Sequence, residues 1–203
     1  MQLFNTRGHK LQQFTPLHPD SVRMYSCGPT VYNHAHIGNL SSYIYADILR
    51  RTLKQCFGTT KHVMNITDVD DKTIRDSLAR YPDRPPRQAL QHLTDYYQQI
   101  FLDEMRAVGN SIDDITLVKA TDSIAEIQQL ILKLLEQKVA YVASDGIYFS
   151  VDTYAKKRQY GQLSHIDLHS PHQERIVNDE YDKDNPSDFA LWKKQKPGEP
   201  AWD

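Results

Sequence analysis

Apolar residues recur at helical spacing along 40–57, at Leu40, Ile44, Ile48, Leu49, Leu53 and Cys56, and predict an amphipathic helix there. The run 22–27 ahead of it reads as a short buried strand, and 61–66, which alternates in part, reads as a second. Gly58 suits the C′ position of the helix, with Arg50, Arg51 and Lys54 towards the negative end of its dipole. Strand, helix and strand over this length predict a right-handed βαβ unit with parallel strands. Asp70-Asp71-Lys72 opens a short helical run to about Ala79, broken by Tyr81-Pro82-Asp83-Arg84-Pro85-Pro86. Pro86 fits the first turn of a long helix ending near Gly109, with Leu90, Leu93, Tyr97, Ile100 and Phe101 on its core face. Another helix is expected from Thr121-Asp122 to about Lys138, with Ile124, Ile127, Ile131, Leu134 and Leu135 as its stripe. Segments 140–143 and 147–151 flank Ser144-Asp145-Gly146 and predict a β-hairpin. From His165 on the sequence is polar, and loop-rich structure is expected.

The candidate chemistry lies between the first strand and its helix. Tyr25-Ser26-Cys27-Gly28-Pro29-Thr30-Val31-Tyr32-Asn33-His34-Ala35-His36-Ile37-Gly38-Asn39 brings together a thiol, a glycine turn and an H-I-G-N tetrapeptide. A strand entering a helix through such a loop offers backbone N–H groups at the positive end of the dipole, where phosphate is favoured. Doubly wound sheets gather ligands at the carboxyl ends of their strands. Cys27, His34, His36 and Asn39 should therefore face the same crevice as Asn65, Thr67 and Asp68.

Each of these residues also has a plainer reading. A lone cysteine ending a buried strand is usually a small core hydrophobe, and Cys56 reads as packing. His34 and His36 have a spacing found at metal sites, yet loop histidines are often only solvated; a satisfied loop residue suits His34. Thr67 and Asp68 could cap the next helix. Asp68-Val69-Asp70-Asp71 could hold Mg²⁺ or, with Asp70 and Asp71, stabilise a helix N-terminus. The tyrosines could stack on bases, but Tyr96 and Tyr97 sit at helix positions that favour packing.

Composition narrows the classes. The 203 residues carry a net charge of −2, with 39% hydrophobic and 25% charged residues, which suits an ordinary globular protein of one large or two small domains and announces no global basic field for nucleic acid. No apolar run is long enough for a membrane span, and the first residues carry no signal pattern. Two cysteines without spacing logic point to a reducing cytoplasm and not to a disulfide framework.

Cys27-Gly28-Pro29-Thr30-Val31-Tyr32, His36-Ile37-Gly38-Asn39 and Asn65-Ile66-Thr67-Asp68-Val69-Asp70-Asp71-Lys72, in this order and separation, closely resemble the N-terminal half of cysteinyl-tRNA synthetases, a class I aminoacyl-tRNA synthetase family. Tyr160-Gly161-Gln162-Leu163-Ser164, Asn185-Pro186-Ser187-Asp188-Phe189-Ala190-Leu191-Trp192-Lys193 and Pro197-Gly198-Glu199-Pro200-Ala201-Trp202 extend the likeness to the last residues. The resemblance implies an α/β fold: the first half of a Rossmann-type (HUP-like) parallel sheet over 1–118, then an α+β connective insertion over 119–203. It implies an ATP-dependent ligase that forms cysteinyl adenylate and passes the acyl group to tRNA(Cys). The implied partners are cysteine, ATP with Mg²⁺ and tRNA(Cys), for a cytoplasmic monomer with no membrane association.

Carried over by residue, the resemblance makes His36 and Asn39 catalytic, with Pro29, Thr30, His36, Gly38 and Asn39 at ATP and Cys27, Gly28 and Thr67 at cysteine. His36 would donate to phosphate oxygens during attack on the α-phosphate, and Gly38 would give the nucleotide room. Cys27 would be a Zn²⁺ ligand, because a metal that takes thiolate and refuses a neutral hydroxyl separates cysteine from serine better than a pocket can. The other zinc ligands, the K-M-S-K-S loop and the tRNA-binding helical domains of the family do not occur in these residues. The expectation is therefore the front part of a longer enzyme, inactive alone, with an incomplete zinc site. A mycothiol-type cysteine ligase with an amino-sugar acceptor and a non-catalytic nucleotide-binding paralogue are the alternatives.

Overall fold

A computed structural model describes residues 1–18, 21–163 and 187–203. Within them the chain divides into two compact units, Thr15–Ile124 with Gln195–Asp203, and Met1–Phe14 with Ala125–Lys194. The division falls at 124/125, and the first residues group with the later part of the chain.

The larger unit is built on a three-stranded parallel sheet. Strand β3 (Val22–Ser26) leads through the Cys27 loop into helix α1 (Ile37–Phe57) and returns as β4 (Thr60–Ile66). Helices α2 (Asp71–Arg80) and α3 (Pro86–Ala107) then lead to β5 (Ile115–Lys119), and the strand order is β3-β4-β5. Both pairings are parallel, with Tyr25 opposite Val63 and Asn65 opposite Val118. The expected βαβ unit is present, a Rossmann-like arrangement.

Helix α1 starts three residues earlier than its apolar pattern suggests, because His36 caps it, and Gly58 ends it at φ 80°. Its buried face also differs from the predicted one. Tyr43, Asp47, Arg50 and Leu53 are buried, whereas Ile48 and Cys56 are exposed. The reason is an ion-pair cluster. Arg50 donates to Asp47, to Asp114 at 2.8 Å and to the Ser111 carbonyl at 3.0 Å, while Arg51 Nε donates to Asp47 at 2.6 Å. Arg50 and Arg51 therefore serve tertiary contacts, not only the helix dipole. Cys56 does not pack.

Alternation in β4 buries His62, Met64 and Ile66. Met64 and Ile66 join Val31, Tyr43, Leu93, Tyr97, Phe101 and Met105 in the core of this unit. Pro86 opens α3 as expected; Leu90, Leu93, Tyr97 and Phe101 are buried along it, but Tyr96 is exposed.

The other unit pairs β1 (Gln2–Asn5) antiparallel with β2 (Lys10–Gln13). It also holds nearly all of α4 (Ile124–Glu136), the hairpin β6 (Ala140–Val142) and β7 (Gly146–Phe149), α5 (Val151–Lys157) and β8 (Phe189–Lys193), which pairs antiparallel with β7. Val139, Phe149 and Val151 form its core. Of the predicted α4 stripe only Ile131 is fully buried, and Thr121–Ser123 is a separate 3₁₀ turn. Val151 starts a helix and does not extend the hairpin, since the Ser150 hydroxyl caps α5 by accepting from the Thr153 N–H. The loop-rich stretch expected from His165 lies outside the described residues up to 186, and from Phe189 the chain forms a strand. Among the described residues no helix is long and apolar enough to cross a membrane.

Candidate functional site

Parallel pairing of β3 with β4 runs to Ser26 opposite Met64 and resumes with Thr30 opposite Thr67. The β3 side advances from 26 to 30 while the β4 side advances from 64 to 67, so one extra residue is accommodated at Cys27-Gly28. This is a bulge, a device uncommon in parallel pairs and frequent beside active sites. Beyond it the Thr67 N–H donates to the Pro29 carbonyl at 2.9 Å and the Val31 N–H to the Thr67 carbonyl at 3.1 Å.

The interruption leaves the Gly28 N–H without a ladder partner, and the Asn65 side chain supplies one: Oδ1 accepts from it at 2.9 Å. Gly28 also passes very close to β4. A Cβ at this position would lie 1.8 Å from the Asn65 carbonyl oxygen, so close approach, not backbone angle, requires glycine. Asn65 Oδ1 also accepts from the Tyr25 hydroxyl at 2.9 Å, and its Nδ2 donates to Thr67 Oγ1 at 3.1 Å. Tyr25, Cys27, Asn65 and Thr67 occupy alternate positions facing away from the Met64 and Ile66 core. Burial first, and then the neighbouring Cys27 thiol, push the phenols of Tyr25 and Tyr43 above their ordinary value. Cys27 itself is exposed, so the core reading of this thiol does not hold.

The second half of the site is the start of α1. His36 has extended backbone angles and its Nδ1 accepts from the N–H groups of Gly38 at 3.0 Å and Asn39 at 3.4 Å. With Nδ1 accepting, the proton of the neutral ring sits on Nε2, where it can be donated to a ligand. The amides of Gly38, Asn39 and Leu40 are thus taken, by Nδ1 or by the His36 carbonyl, and are not the free donors expected of this helix end. Gly38 lets the ring fold back, since a Cβ there would lie 3.0 Å from His36 Cε1. Asn39 is exposed in the first turn.

Other nominated residues have structural partners. His34 Nδ1 lies 2.7 Å from Glu104 Oε1, and Glu104 Oε2 accepts from the Ala35 N–H at 3.1 Å, tying the loop to α3. Buried Asp68 accepts from the Thr121 N–H at 3.0 Å and from its hydroxyl. Asp70 caps α2, accepting from the Lys72 N–H at 2.9 Å in a capping box with Thr73. Asp68 and Asp70 are therefore committed elsewhere, against the Mg²⁺ reading. Among the described residues no group of three or more His, Cys, Asp or Glu could hold a metal ion. Tyr25, Glu104 and the buried His62, whose Nε2 lies 2.8 Å from Ser26 Oγ, were not singled out by sequence. Alternation back from Cys27 is the signal that could have found Tyr25.

A parallel sheet with a loop-borne thiol at the carboxyl end of one strand and H-I-G-N at the start of the following helix is the arrangement that the resemblance to class I aminoacyl-tRNA synthetases implied. Residues 13–203 match the family described as tRNA synthetases class I (C) catalytic domain, and the chain belongs to that family. It is 45% identical, over all of its length and 39% of the relative's, to a cysteine–tRNA ligase of Koribacter versatilis. It is 43% identical to a cysteine–tRNA ligase of Chlamydia pneumoniae, over 97% of this chain and 40% of that one. It is 40% identical to a cysteine–tRNA ligase of Pyrococcus furiosus, over all of this chain and 40% of that one. The chain thus spans about two fifths of the length of these relatives.

Proposed function

We propose that this chain serves the ATP-dependent activation of cysteine and its transfer to tRNA(Cys), as a cytoplasmic monomer. The observation that carries the reading is the pinned His36 ring, whose Nε2–H is left for a ligand at the start of α1 in a family of synthetase catalytic domains. In this reaction a carboxylate oxygen of cysteine attacks the α-phosphorus of ATP, the α–β anhydride bond breaks, and pyrophosphate leaves with its electron pair. The His36 Nε2–H donates to an α-phosphate oxygen as charge gathers there. A preorganised donor in that position needs no reorganisation during the reaction. Asn39 stands by in the same turn as a second polar contact. Pro29 and Thr30, held by their pairing with Thr67, form the wall on which the nucleotide rests.

Cysteine binds at Cys27, Gly28 and Thr67, and the acyl group then passes to the terminal ribose of tRNA(Cys). The exposed Cys27 thiol has the right chemistry for one zinc ligand, but the described residues do not complete a site around it. When bound, zinc would take the thiolate of the substrate. The two free thiols suit a reducing cytoplasm.

Cysteine-dependent ATP–pyrophosphate exchange tests the reading, measured with this chain and with any longer natural polypeptide that carries it. In the longer polypeptide, exchange supported by cysteine, not by serine, and lowered in His36→Ala is the expected result, and the 203-residue chain alone should show none. Exchange driven equally by another amino acid would overturn the assignment.

A further inference from the structure

Three hydrogen bonds around Asn65 fix more than its own orientation. A backbone N–H can only donate, so the Asn65 atom 2.9 Å from the Gly28 nitrogen is the carbonyl oxygen. The other terminal atom is then the amide nitrogen, which donates to Thr67 Oγ1 at 3.1 Å. The Tyr25 hydroxyl, 2.9 Å from the same Oδ1, must spend its one proton there. Its oxygen then accepts, and the Cys27 thiol also lies within hydrogen-bond reach of this hydroxyl. Thr67 uses a lone pair on Asn65, and its own proton is left to donate. All three side chains lie on the open face of the sheet, beside Cys27.

We propose that Asn65 is a positioning residue that sets the polarity of the amino-acid pocket, holding Tyr25 out as an acceptor for the α-ammonium and Thr67 out as a donor to the α-carboxylate of one zwitterionic thiol substrate. The inference rests on the amino-acid reading of this crevice given above. Backbone Gly28 acts as the polarity key: because its N–H can face only an acceptor, the amide cannot flip, and the two hydroxyls inherit fixed roles.

Asn65→Asp is the decisive variant. It keeps an acceptor for Gly28 and Tyr25 but has no N–H for Thr67, whose proton then turns inward to the new carboxylate. Binding of cysteine to the 203-residue chain is followed by NMR titration, beside cysteamine, which lacks the carboxylate, and 3-mercaptopropionate, which lacks the ammonium. Asn65→Asp and Thr67→Val should each weaken cysteine about 10- to 100-fold, the range for a hydrogen bond to a charged group, and the double variant should lose no more than either. Cysteamine should be weakened by neither, 3-mercaptopropionate should be unaffected by Tyr25→Phe, and Thr67→Ser, which keeps the hydroxyl, should restore most of the affinity lost in Thr67→Val. Exchange of the Gly28 amide should stay slow in Asn65→Asp and become fast in Asn65→Ala, which shows that the acceptor function survives where intended. Cysteine binding with additive losses, or cysteamine weakened as much as cysteine, refutes the polarity assignment and leaves the substrate reading standing. Failure of all three thiols to bind wild type removes the substrate reading, and this inference with it.

Discussion

A single methyl group added at Gly28 should damage both the stability of the larger unit and its binding site. The Cβ of Gly28→Ala would stand 1.8 Å from the Asn65 carbonyl oxygen and 2.8 Å from Met64 Cγ, while ordinary contact begins at 3.4 Å. The two chain segments must therefore separate by about 1.6 Å. β4 cannot retreat, because β3 and β5 pair with it on either side. The movement falls on Gly28 and breaks its 2.9 Å bond to Asn65. Overpacking of this kind costs about 1–3 kcal/mol, and the lost hydrogen bond costs about 1 kcal/mol more. Restricting the unfolded chain returns roughly 0.4–1 kcal/mol. A net loss of about 2–3 kcal/mol corresponds, at about 1–3 kcal/mol per molar urea, to a midpoint lower by about 1 M or more. Urea unfolding followed by circular dichroism measures it. Gly8→Ala is the control, since a Cβ there meets only the flexible side chains of Gln12 at 3.4 Å and Lys10 at 3.7 Å. If Gly28→Ala unfolds at the wild-type midpoint, the close approach of loop and strand is not a constraint and the reasoning fails.

Three further outcomes are expected. His36→Ala removes the cap of α1 and should lower stability by about 1 kcal/mol and adenylate formation by about 10²–10³-fold, with cysteine affinity nearly unchanged; single-turnover adenylation across a cysteine titration would count against it if affinity fell as far as in Cys27→Ser. His62 is held below its ordinary value of 6.5 by burial and then by the Arg50 guanidinium, with Asp47 opposing. As pH falls through 6.5 the unfolded chain takes up this proton and the folded one does not, so stability drops there by up to about 1.4 kcal/mol per pH unit. It stops dropping below the folded value, and His62→Gln should flatten the fall of urea midpoints that sets in as pH drops through 6.5. Arg50→Met leaves the buried Asp47 carboxylate with the half-exposed Arg51 as its one remaining cation and should cost about 3 kcal/mol, much of it restored by adding Asp47→Leu; equal damage from single and double variants in thermal unfolding would contradict a charge-burial origin.

The elements with strong periodicity and clear punctuation were legible in the sequence. β3, α1, β4, α2, α3 and the Asp145-Gly146 hairpin are in place because each carries its own turn or cap residues. The rotation of α1 was hidden, since Asp47 and Arg50 look like surface residues until Asp114 and Ser111 approach them from far along the chain. β5 carries a local strand signal in Ile115-Thr116-Leu117-Val118. β8 finds its partner β7 across more than forty residues, so nothing local announces it. For the candidate site, the placement of Cys27, Gly28 and Thr67 at the carboxyl ends of adjacent strands was readable. Their geometry was not, because the bulge arises from counting residues on two strands against each other. Glu104 was illegible for the same reason: its partners, His34 and Ala35, lie about seventy positions away.

The extra residue between Ser26 and Thr30 has a consequence for the evolution of this domain. Deleting one residue there would let the ladder run unbroken from Val22 to Val31, and the shortened sheet would gain hydrogen bonds and lose its glycine requirement. Such a deletion is a mutation that heals the fold and erases the pocket in one step. Selection for folding alone would favour it, so persistence of the interruption points to a demand other than stability.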